Sequence, residues 1–212
     1  MTRILPGVIA MATIVVASNI LVQHLFGQWL TWGAFTYPLA FLVTDVMNRV
    51  YGAGPARRVV LAGFVVGVIA SLVGSQIMLQ GDGYLYAAVP LRVAVGSGIA
   101  FFTAQMLDVA LFDRLRGGAW WRAPLVSTLV GSAVDTALFF TIAFSASVTV
   151  FGANADAAIS WAWGGASFLT MGPQVPLWVS LAVADWLVKL GLALIALVPF
   201  RMIVRRLTPH SV

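Results

Sequence analysis

The sequence has few of the residues on which most protein chemistry depends. Its 212 residues include no cysteine, no glutamate, a single lysine and two histidines. Without cysteine there is no disulfide, thiol nucleophile or thiolate metal site, and His24 and His210 alone do not make a metal cluster. The phosphate-loop, serine-hydrolase and zinc-protease motifs are also absent. The sequence therefore predicts no cofactor, no metal site and no enzymatic activity, and a chain that cannot be driven by its own ATP hydrolysis.

Charge is scarce as well, and apolar residues dominate. The chain is 61% hydrophobic and 9% charged, with a mean hydropathy of +0.98. A soluble domain is about 45–50% apolar and about 25% charged. A soluble protein of this length cannot bury so much apolar surface, so we predict one all-α transmembrane domain over 1–212, with lipid as its solvent. The net charge of +5 comes from arginines in short loops, which indicates membrane topology rather than nucleic-acid binding.

Six apolar stretches have the length of a transmembrane helix, since a bilayer core of about 30 Å needs about 20 helical residues. We predict spans at 4–24, 33–51, 58–80, 88–112, 123–148 and 176–204. The first is interpreted as an uncleaved span rather than a signal peptide, because five more spans follow. The second is the least regular, with Gly33 and Pro38 in its first half. The connection 149–175 is predicted to be interfacial or re-entrant, with Trp161 and Trp163 at headgroup depth.

Basic residues occur in every second loop. They are Arg49, Arg57, Arg58, Arg114, Arg116, Arg122, Arg201, Arg205 and Arg206. The intervening loops contain Asp82 and Asp156 and no lysine or arginine. By the positive-inside rule the basic loops are cytoplasmic. The sequence therefore predicts a multi-pass protein of a bacterial inner membrane with both termini in the cytoplasm, which an even number of spans also requires.

Charged side chains also occur inside the predicted spans, where each costs about 2.5–3.5 kcal/mol on insertion scales. Asp45 and Arg49 are four residues apart in the second span, and Asp185 and Lys189 are four apart in the sixth. This spacing places each pair on one helix face. Two interpretations stay open: the pairs neutralise each other and only help helices to pack, or they line a polar pocket.

A polar pocket is favoured by the spread of the charges over four of the predicted spans. Asp135 has no cation within one helical turn, so it needs a cation from another helix, a proton or a ligand. Asp108 lies three residues from Gln105, and two further amides, Asn19 and Gln76, lie in other spans. A buried carboxylate accepts two parallel hydrogen bonds from a guanine-like edge, and amides donate to a ring carbonyl. Aromatic residues lie near these positions for stacking: Phe35, Phe101, Phe102, Phe139 and Phe140.

A set of short stretches along the chain, each weak alone, together resembles one family. The stretches are Ser18-Asn19, Thr31-Trp32-Gly33-Ala34-Phe35, Thr44-Asp45, Ala56-Arg57-Arg58, Gln105-x-Leu107-Asp108-Val109, Trp120-Trp121-x-Ala123-Pro124, Ser127-Thr128, Asp135-Thr136 with Phe139-Phe140, and Asp185 with Lys189. The chain resembles the bacterial queuosine precursor transporters, also called the vitamin uptake transporter family. Segment 149–175 shows no family pattern.

The resemblance implies uptake of 7-deazaguanine precursors of queuosine, such as 7-cyano-7-deazaguanine and 7-aminomethyl-7-deazaguanine. It also implies a six-helix inner-membrane protein similar in form to the substrate-binding subunits of energy-coupling-factor transporters. The substrate-binding candidates that follow from the residues and the resemblance are Asn19, Asp45, Gln76, Gln105, Asp108, Asp135, Phe139, Asp185 and Lys189.

Two mechanisms remain open for such a protein. One is a secondary transporter with alternating access around a midplane site, in which Asp135 is the candidate for proton coupling; facilitated diffusion agrees equally well with the sequence. The alternative is a substrate-binding subunit that needs a separate ATPase module. A homodimer is a further expectation, because the Gly- and Ala-rich faces of the third and fourth spans are suited to packing against a copy.

Overall fold

The computed structural model describes residues 2–21, 25–27, 30–80 and 85–208. Three residues considered above, His24, Asp82 and His210, lie outside the described residues. So does the end of the first predicted span, at 22–24.

The described part of the chain is mostly helical. Its α-helices are α1 (Leu5–Leu21), α2 (Gly33–Thr36), α3 (Leu39–Tyr51), α4 (Ala53–Gln76), α5 (Leu91–Leu115), α6 (Arg122–Phe144), α7 (Ala153–Ala157) and α8 (Leu177–Leu207). Three antiparallel hairpins connect helices: β1 (Leu25–Phe26) with β2 (Leu30–Thr31), β3 (Met78–Gln80) with β4 (Leu85–Ala87), and β5 (Gly165–Ser167) with β6 (Gln174–Pro176).

Four of these helices are long and apolar enough to cross a bilayer, namely α4, α5, α6 and α8. α1 is apolar but has only 17 described residues. At 1.5 Å per residue it is about 26 Å long, which is at the lower limit for a span. The described residues thus establish several apolar membrane helices, while the predicted count of six also requires α1 and the divided α2–α3 segment.

The second predicted span is divided at Tyr37 and Pro38. The amide of Tyr37 still donates to the Gly33 carbonyl at 3.0 Å, but Pro38 has no N–H with which to continue the ladder. α3 then begins at Leu39. The irregularity predicted for this span is confirmed, and it lies beside the polar residues described below.

Several helix ends differ by a few residues from the ends of the predicted spans because of local chain breakers. Gly52 has φ +89°, a conformation suited to glycine, so it ends α3 and α4 starts at once at Ala53 rather than at 58. α4 ends at Gln76, because residues 78–80 form β3 instead of helix. The fourth span starts after Pro90, and the fifth ends at Phe144 rather than at 148.

Two glycines allow α5 and α6 to approach closely. A methyl group at Gly96 on α5 would lie 3.2 Å from the backbone nitrogen of Ala143 on α6. A methyl group at Gly131 on α6 would lie 2.8 Å from Phe41 and 3.4 Å from the Ala104 carbonyl. Small residues at such positions bring helix backbones together in membranes, where packing drives association.

The glycines of α4 are also used within the chain. A side-chain carbon at Gly63 would meet Met11 of α1 at 2.4 Å, and one at Gly67 would meet Val15 at 3.1 Å. Gly98 of α5 likewise faces Phe64 of α4. The small-residue faces expected to pack against a second copy therefore contact neighbouring helices of the same chain.

Segment 149–175 is folded against the ends of α5 and α6. It contains α7, two short 3-10 helices and most of the β5–β6 hairpin. Arg92 of α5 is fully buried and donates to Asp156 at 2.7 Å, to the Ser145 carbonyl at 2.7 Å and to the Ile142 carbonyl at 3.1 Å. Because every acceptor lies on α6 or the segment that follows it, one arginine connects the segment to both helices.

At the end of the bundle away from Arg92, arginines and one tryptophan join the C-terminal ends of α3, α5 and α8. Arg49 donates to the Arg116 carbonyl at 2.9 Å and to the Trp120 carbonyl at 3.4 Å. Arg116 donates in return to the Asn48 carbonyl. The guanidinium of Arg201 stacks over the Trp120 ring, 4.5 Å from its centroid. The basic residues that predict the cytoplasmic side therefore also hold this end of the bundle together.

The close contact at Gly96 predicts that a larger residue at this position lowers the stability of the protein. Gly96→Val should lower the free energy of unfolding by about 1–3 kcal/mol, because added carbon atoms would overlap the α6 backbone. Gly98→Ala is the matched control, two residues further along α5, where the nearest side-chain atom would be at an ordinary 3.7 Å. Thermal unfolding of the purified protein in detergent measures both. Equal unfolding temperatures for the two variants would contradict the close packing at Gly96.

Candidate functional site

Three charged side chains meet between α6 and α8. Lys189 donates to Asp135 at 2.7 Å and to Asp185 at 2.6 Å. Thr136 accepts from Lys189 at 3.0 Å and donates to Asp185 at 2.9 Å. Two carboxylates and one ammonium leave this triad with one unbalanced negative charge when all three groups are ionised.

The triad confirms one sequence prediction and resolves another. The Asp185–Lys189 pair forms as its four-residue spacing predicts. Asp135 obtains the cation from another helix that its isolation on α6 required. Because Lys189 bonds to it, Asp135 does not lack a partner, and its role in proton coupling stays a prediction.

Tyr37 extends the triad toward α1. Its hydroxyl donates to Asp135 at 3.2 Å, and its ring centroid is 5.5 Å from the Lys189 nitrogen. Sequence analysis did not select Tyr37. Its position next to Pro38 was the available signal, since a phenol at a helix break in an apolar region needs a hydrogen-bond partner.

A small cavity lies beside Tyr37, between α1, α4 and α5. It has a volume of about 30 Å³. Its lining includes the polar residues Asn19, Ser71 and Ser97 and the aromatic residue Phe101. Asn19, predicted as a site residue, therefore reaches the same region as Tyr37, and Phe101 provides a ring there for stacking.

A second polar cluster surrounds Asp45, toward the α3 end that carries the arginines. Ser127 donates to one oxygen of Asp45 at 3.3 Å, and Thr128 donates to the other at 3.0 Å. Asp108 of α5 lies next to Asp45 and Ser127. Asp45 is 3% exposed and Asp108 is not exposed at all. Two carboxyl groups thus share one buried space.

Amides flank this second cluster. Gln105 lies one turn before Asp108 on α5, and its oxygen is 2.6 Å from the Thr44 hydroxyl. Asn48 donates to the Val109 carbonyl at 2.9 Å. Both are completely buried. Gln105, predicted as a site residue, therefore faces α3 together with Asp108.

A stripe of polar residues on α6 connects the two clusters. Thr128 and Asp135 are seven residues apart, which is two helical turns or about 10 Å. Ser132 lies between them on the same face and is buried. The clusters thus belong to one polar path inside the bundle.

Other predicted positions lie elsewhere. Of the two interpretations left open for Asp45 and Arg49, a self-neutralising pair is not formed: Arg49 bonds to carbonyls of the α5–α6 loop and Asp45 bonds to hydroxyls. Gln76 is exposed at the end of α4 and bonds to Ser75, away from both clusters. Phe139 packs edge-on against Phe140, 5.1 Å between ring centroids, in an aromatic group at the C-terminal end of α6.

Comparison with known proteins identifies the family. Residues 31–204 match the family model described as "Putative vitamin uptake transporter". This chain belongs to that family. It is therefore a multi-pass membrane protein of a transporter family and not an enzyme, as the sequence predicted.

Curated relatives in this family extend over most of the chain. It is similar to the "Queuosine precursor transporter" of Escherichia coli (strain K12), with 32% identity over 213 residues covering 93% of this chain and 86% of the relative. It is similar to the "Probable queuosine precursor transporter" of Haemophilus influenzae, with 33% identity over 176 residues covering 80% and 66%. A Bacillus subtilis protein of the same description is 25% identical over 203 residues, covering 89% and 77%. No solved structure matches the chain.

For a member of a transporter family, the described residues enclose little free space. The cavity beside Asn19 measures about 30 Å³, and one beside Asp45 and Thr128 measures about 20 Å³. Sites for small molecules are typically about 300–1,000 Å³. Each cavity has room for about one water molecule. The helices are therefore closed around these two cavities, neither of which is large enough for a small-molecule site.

The triad predicts strong coupling between its members. Lys189→Met should destabilise the protein by about 3–5 kcal/mol, because it leaves two buried carboxylates without a cation. Adding Asp135→Asn to this variant should restore part of the loss, since only one carboxylate then remains. Thermal unfolding in detergent gives the interaction energy from the double-mutant cycle. Asp113→Asn, at the exposed end of α5, is the control and should change stability by no more than about 0.5 kcal/mol. Strictly additive effects of the two substitutions would argue against a shared triad.

Proposed function

We propose that this protein imports a queuosine precursor, 7-cyano-7-deazaguanine or 7-aminomethyl-7-deazaguanine, across a bacterial inner membrane. The names of the relatives that cover most of the chain support the substrate class. The observation that carries the proposal is the buried triad of Asp135, Asp185 and Lys189 with its unbalanced negative charge. Such a site suits a flat solute that is rich in hydrogen-bond donors and carries no negative charge.

The proposed topology has six spans and both termini in the cytoplasm. α1 and the divided α2–α3 segment supply two spans in addition to α4, α5, α6 and α8. The arginine-rich end, with Arg49, Arg116 and Arg201, faces the cytoplasm by the positive-inside rule. In this arrangement the chain is similar in form to the substrate-binding subunits of energy-coupling-factor transporters.

The proposed substrate position lies between the triad and the Asn19 cavity. A carboxylate of Asp135 or Asp185 accepts the N1–H and exocyclic amine of the base, and Asn19 donates to its carbonyl. Phe101 stacks on the ring face. Broken helices commonly form midplane sites in transporters, and the break at Tyr37–Pro38 lies here. Gln76 is not included, because it is exposed at the end of its helix.

The Asp45 cluster forms the inner half of the proposed route. Asp45, Asp108 and Gln105 lie about 10 Å further along α6, toward the arginine-rich end. Alternating access then requires the helices to separate first on one side of the triad and afterwards on the other. Uptake by the purified protein alone in proteoliposomes supports this secondary transport, whereas a requirement for an added ATPase module would support a binding subunit instead.

Uptake assays test the site. Asp135→Asn should reduce uptake of radiolabelled 7-cyano-7-deazaguanine by about tenfold or more in a strain without its own transporter, since loss of one charge-assisted hydrogen bond costs about 1.5–3 kcal/mol. Gln76→Ala and Asp113→Asn are controls on exposed helix ends and should retain uptake. Membrane levels of each variant are measured by immunoblot. Unchanged uptake by Asp135→Asn would remove this residue from the site, and no uptake by the wild type would refute the proposed substrate.

A further inference from the structure

The Asp45–Asp108 pair has a charge that the described structure does not balance. Asp108 is completely buried, and neither of its carboxyl oxygens accepts a hydrogen bond from a described residue. It faces Asp45, whose two oxygens accept from Ser127 and Thr128. Those two hydroxyl donors stabilise Asp45 as the anion, so a second anion beside it would be strongly repelled.

The nearest cation, Arg49, lies close enough to Asp45 for their charges to interact, but no described cation forms an ion pair with either carboxyl group of the pair. On α3 the nearest charged neighbour is Arg49, whose guanidinium donates to two loop carbonyls and lies 5.5 Å from the Phe112 ring centroid. α6 presents only the hydroxyls of Ser127 and Thr128. α8 contributes apolar residues to the adjacent cavity, among them Leu192 and Ala193.

The α4 side is apolar as well. Its buried residues nearest the α3 end are Ala56, Val59 and Val60. Lys189 is engaged by Asp135 and Asp185, two turns along α6. Two adjacent ionised carboxylates without a cation are not stable in a site that excludes water. The pair must therefore bind a positive species.

We propose that Asp45 and Asp108 share one proton, and that this proton is the coupling ion of transport. The proposal rests on the function proposed above and deepens it. The proton lies between the two carboxyl groups and joins them in one hydrogen bond, which gives Asp108 a partner in Asp45. The proton binds when the pair is open to the outside and leaves when it is open to the cytoplasm, one proton with each substrate.

A proton fits the pair better than a metal cation does. Hard cations take about six or more oxygen ligands. The two hydroxyls here donate to Asp45, and the described residues include no group of three or more acidic, histidine or cysteine side chains that could hold a metal ion. This assignment places proton binding at the pair rather than at Asp135, whose charge is met by Lys189.

Infrared spectroscopy tests the shared proton without reference to transport. Wild-type protein in an ester-free detergent should show the carbonyl band of a protonated carboxyl group near neutral pH, shifted in heavy water and lost at high pH. Asp108→Asn should lose the band, and Asp113→Asn, five residues along the same helix, should keep it. A wild type without such a band at any pH, or a band that persists in Asp108→Asn, would overturn the proposal.

Transport in proteoliposomes tests the coupling. With an inward gradient of one pH unit, one proton per substrate supports about tenfold accumulation. The wild type and Asp113→Asn should accumulate 7-cyano-7-deazaguanine. This accumulation should disappear when an uncoupler is added. Asp108→Asn should not accumulate the substrate under the same pH gradient. Wild-type uptake that ignores the pH gradient, or that requires sodium, would refute proton coupling while leaving the proposed substrate intact; absence of any wild-type uptake would instead refute the proposed function.

Discussion

Several buried charges in this bundle are met by a side chain from another helix, and α6 is the helix on which most of these partners converge. Its Asp135 binds Lys189 of α8, and its Ser127 and Thr128 bind Asp45 of α3. Gly131 on the same face brings α5 close enough to place Asp108 there. Since an unpaired charge in lipid costs several kcal/mol, these contacts restrict how α3, α5 and α8 are arranged around α6.

The sequence was sufficient for one ion pair whose two partners lie on the same helix. Asp185 and Lys189 are four residues apart, and their contact follows from helix geometry. The Asp135–Lys189 contact joins residues 54 positions apart, so it depends on how α6 and α8 pack. Asp45 and Arg49 have the same spacing as Asp185 and Lys189, yet they do not pair. Carbonyls and hydroxyls from other helices compete for them, and no single-helix pattern contains that information.

The fold, like the contacts, was predictable where it depends on neighbouring residues of the sequence. Hydropathy located the long helices because apolar length is a local property. The helix ends differ from the predicted span ends where a single residue changes the backbone, as Gly52 and Pro90 do. Tyr37 was missed because a tyrosine in a membrane helix is ordinary until its partner is known.

The closed arrangement is held at both ends by different chemistry. Arg92 fastens the α6–α8 connection at one end through buried charge-assisted bonds. At the other end Arg49 and Arg116 exchange bonds with backbone carbonyls near solvent. The second set is more accessible to water and therefore weaker.

The separation of partners along the chain has a consequence for biogenesis. Asp45 precedes Ser127 by 82 residues, and Asp135 precedes Lys189 by 54. At ribosomal rates of about 5–20 residues per second, Asp135 is synthesised roughly 3–11 s before Lys189. During that interval nascent α6 carries an acidic group without its eventual counter-ion. Insertion of this helix must therefore await the arrival of α8 or rely on the translocation machinery to keep Asp135 hydrated.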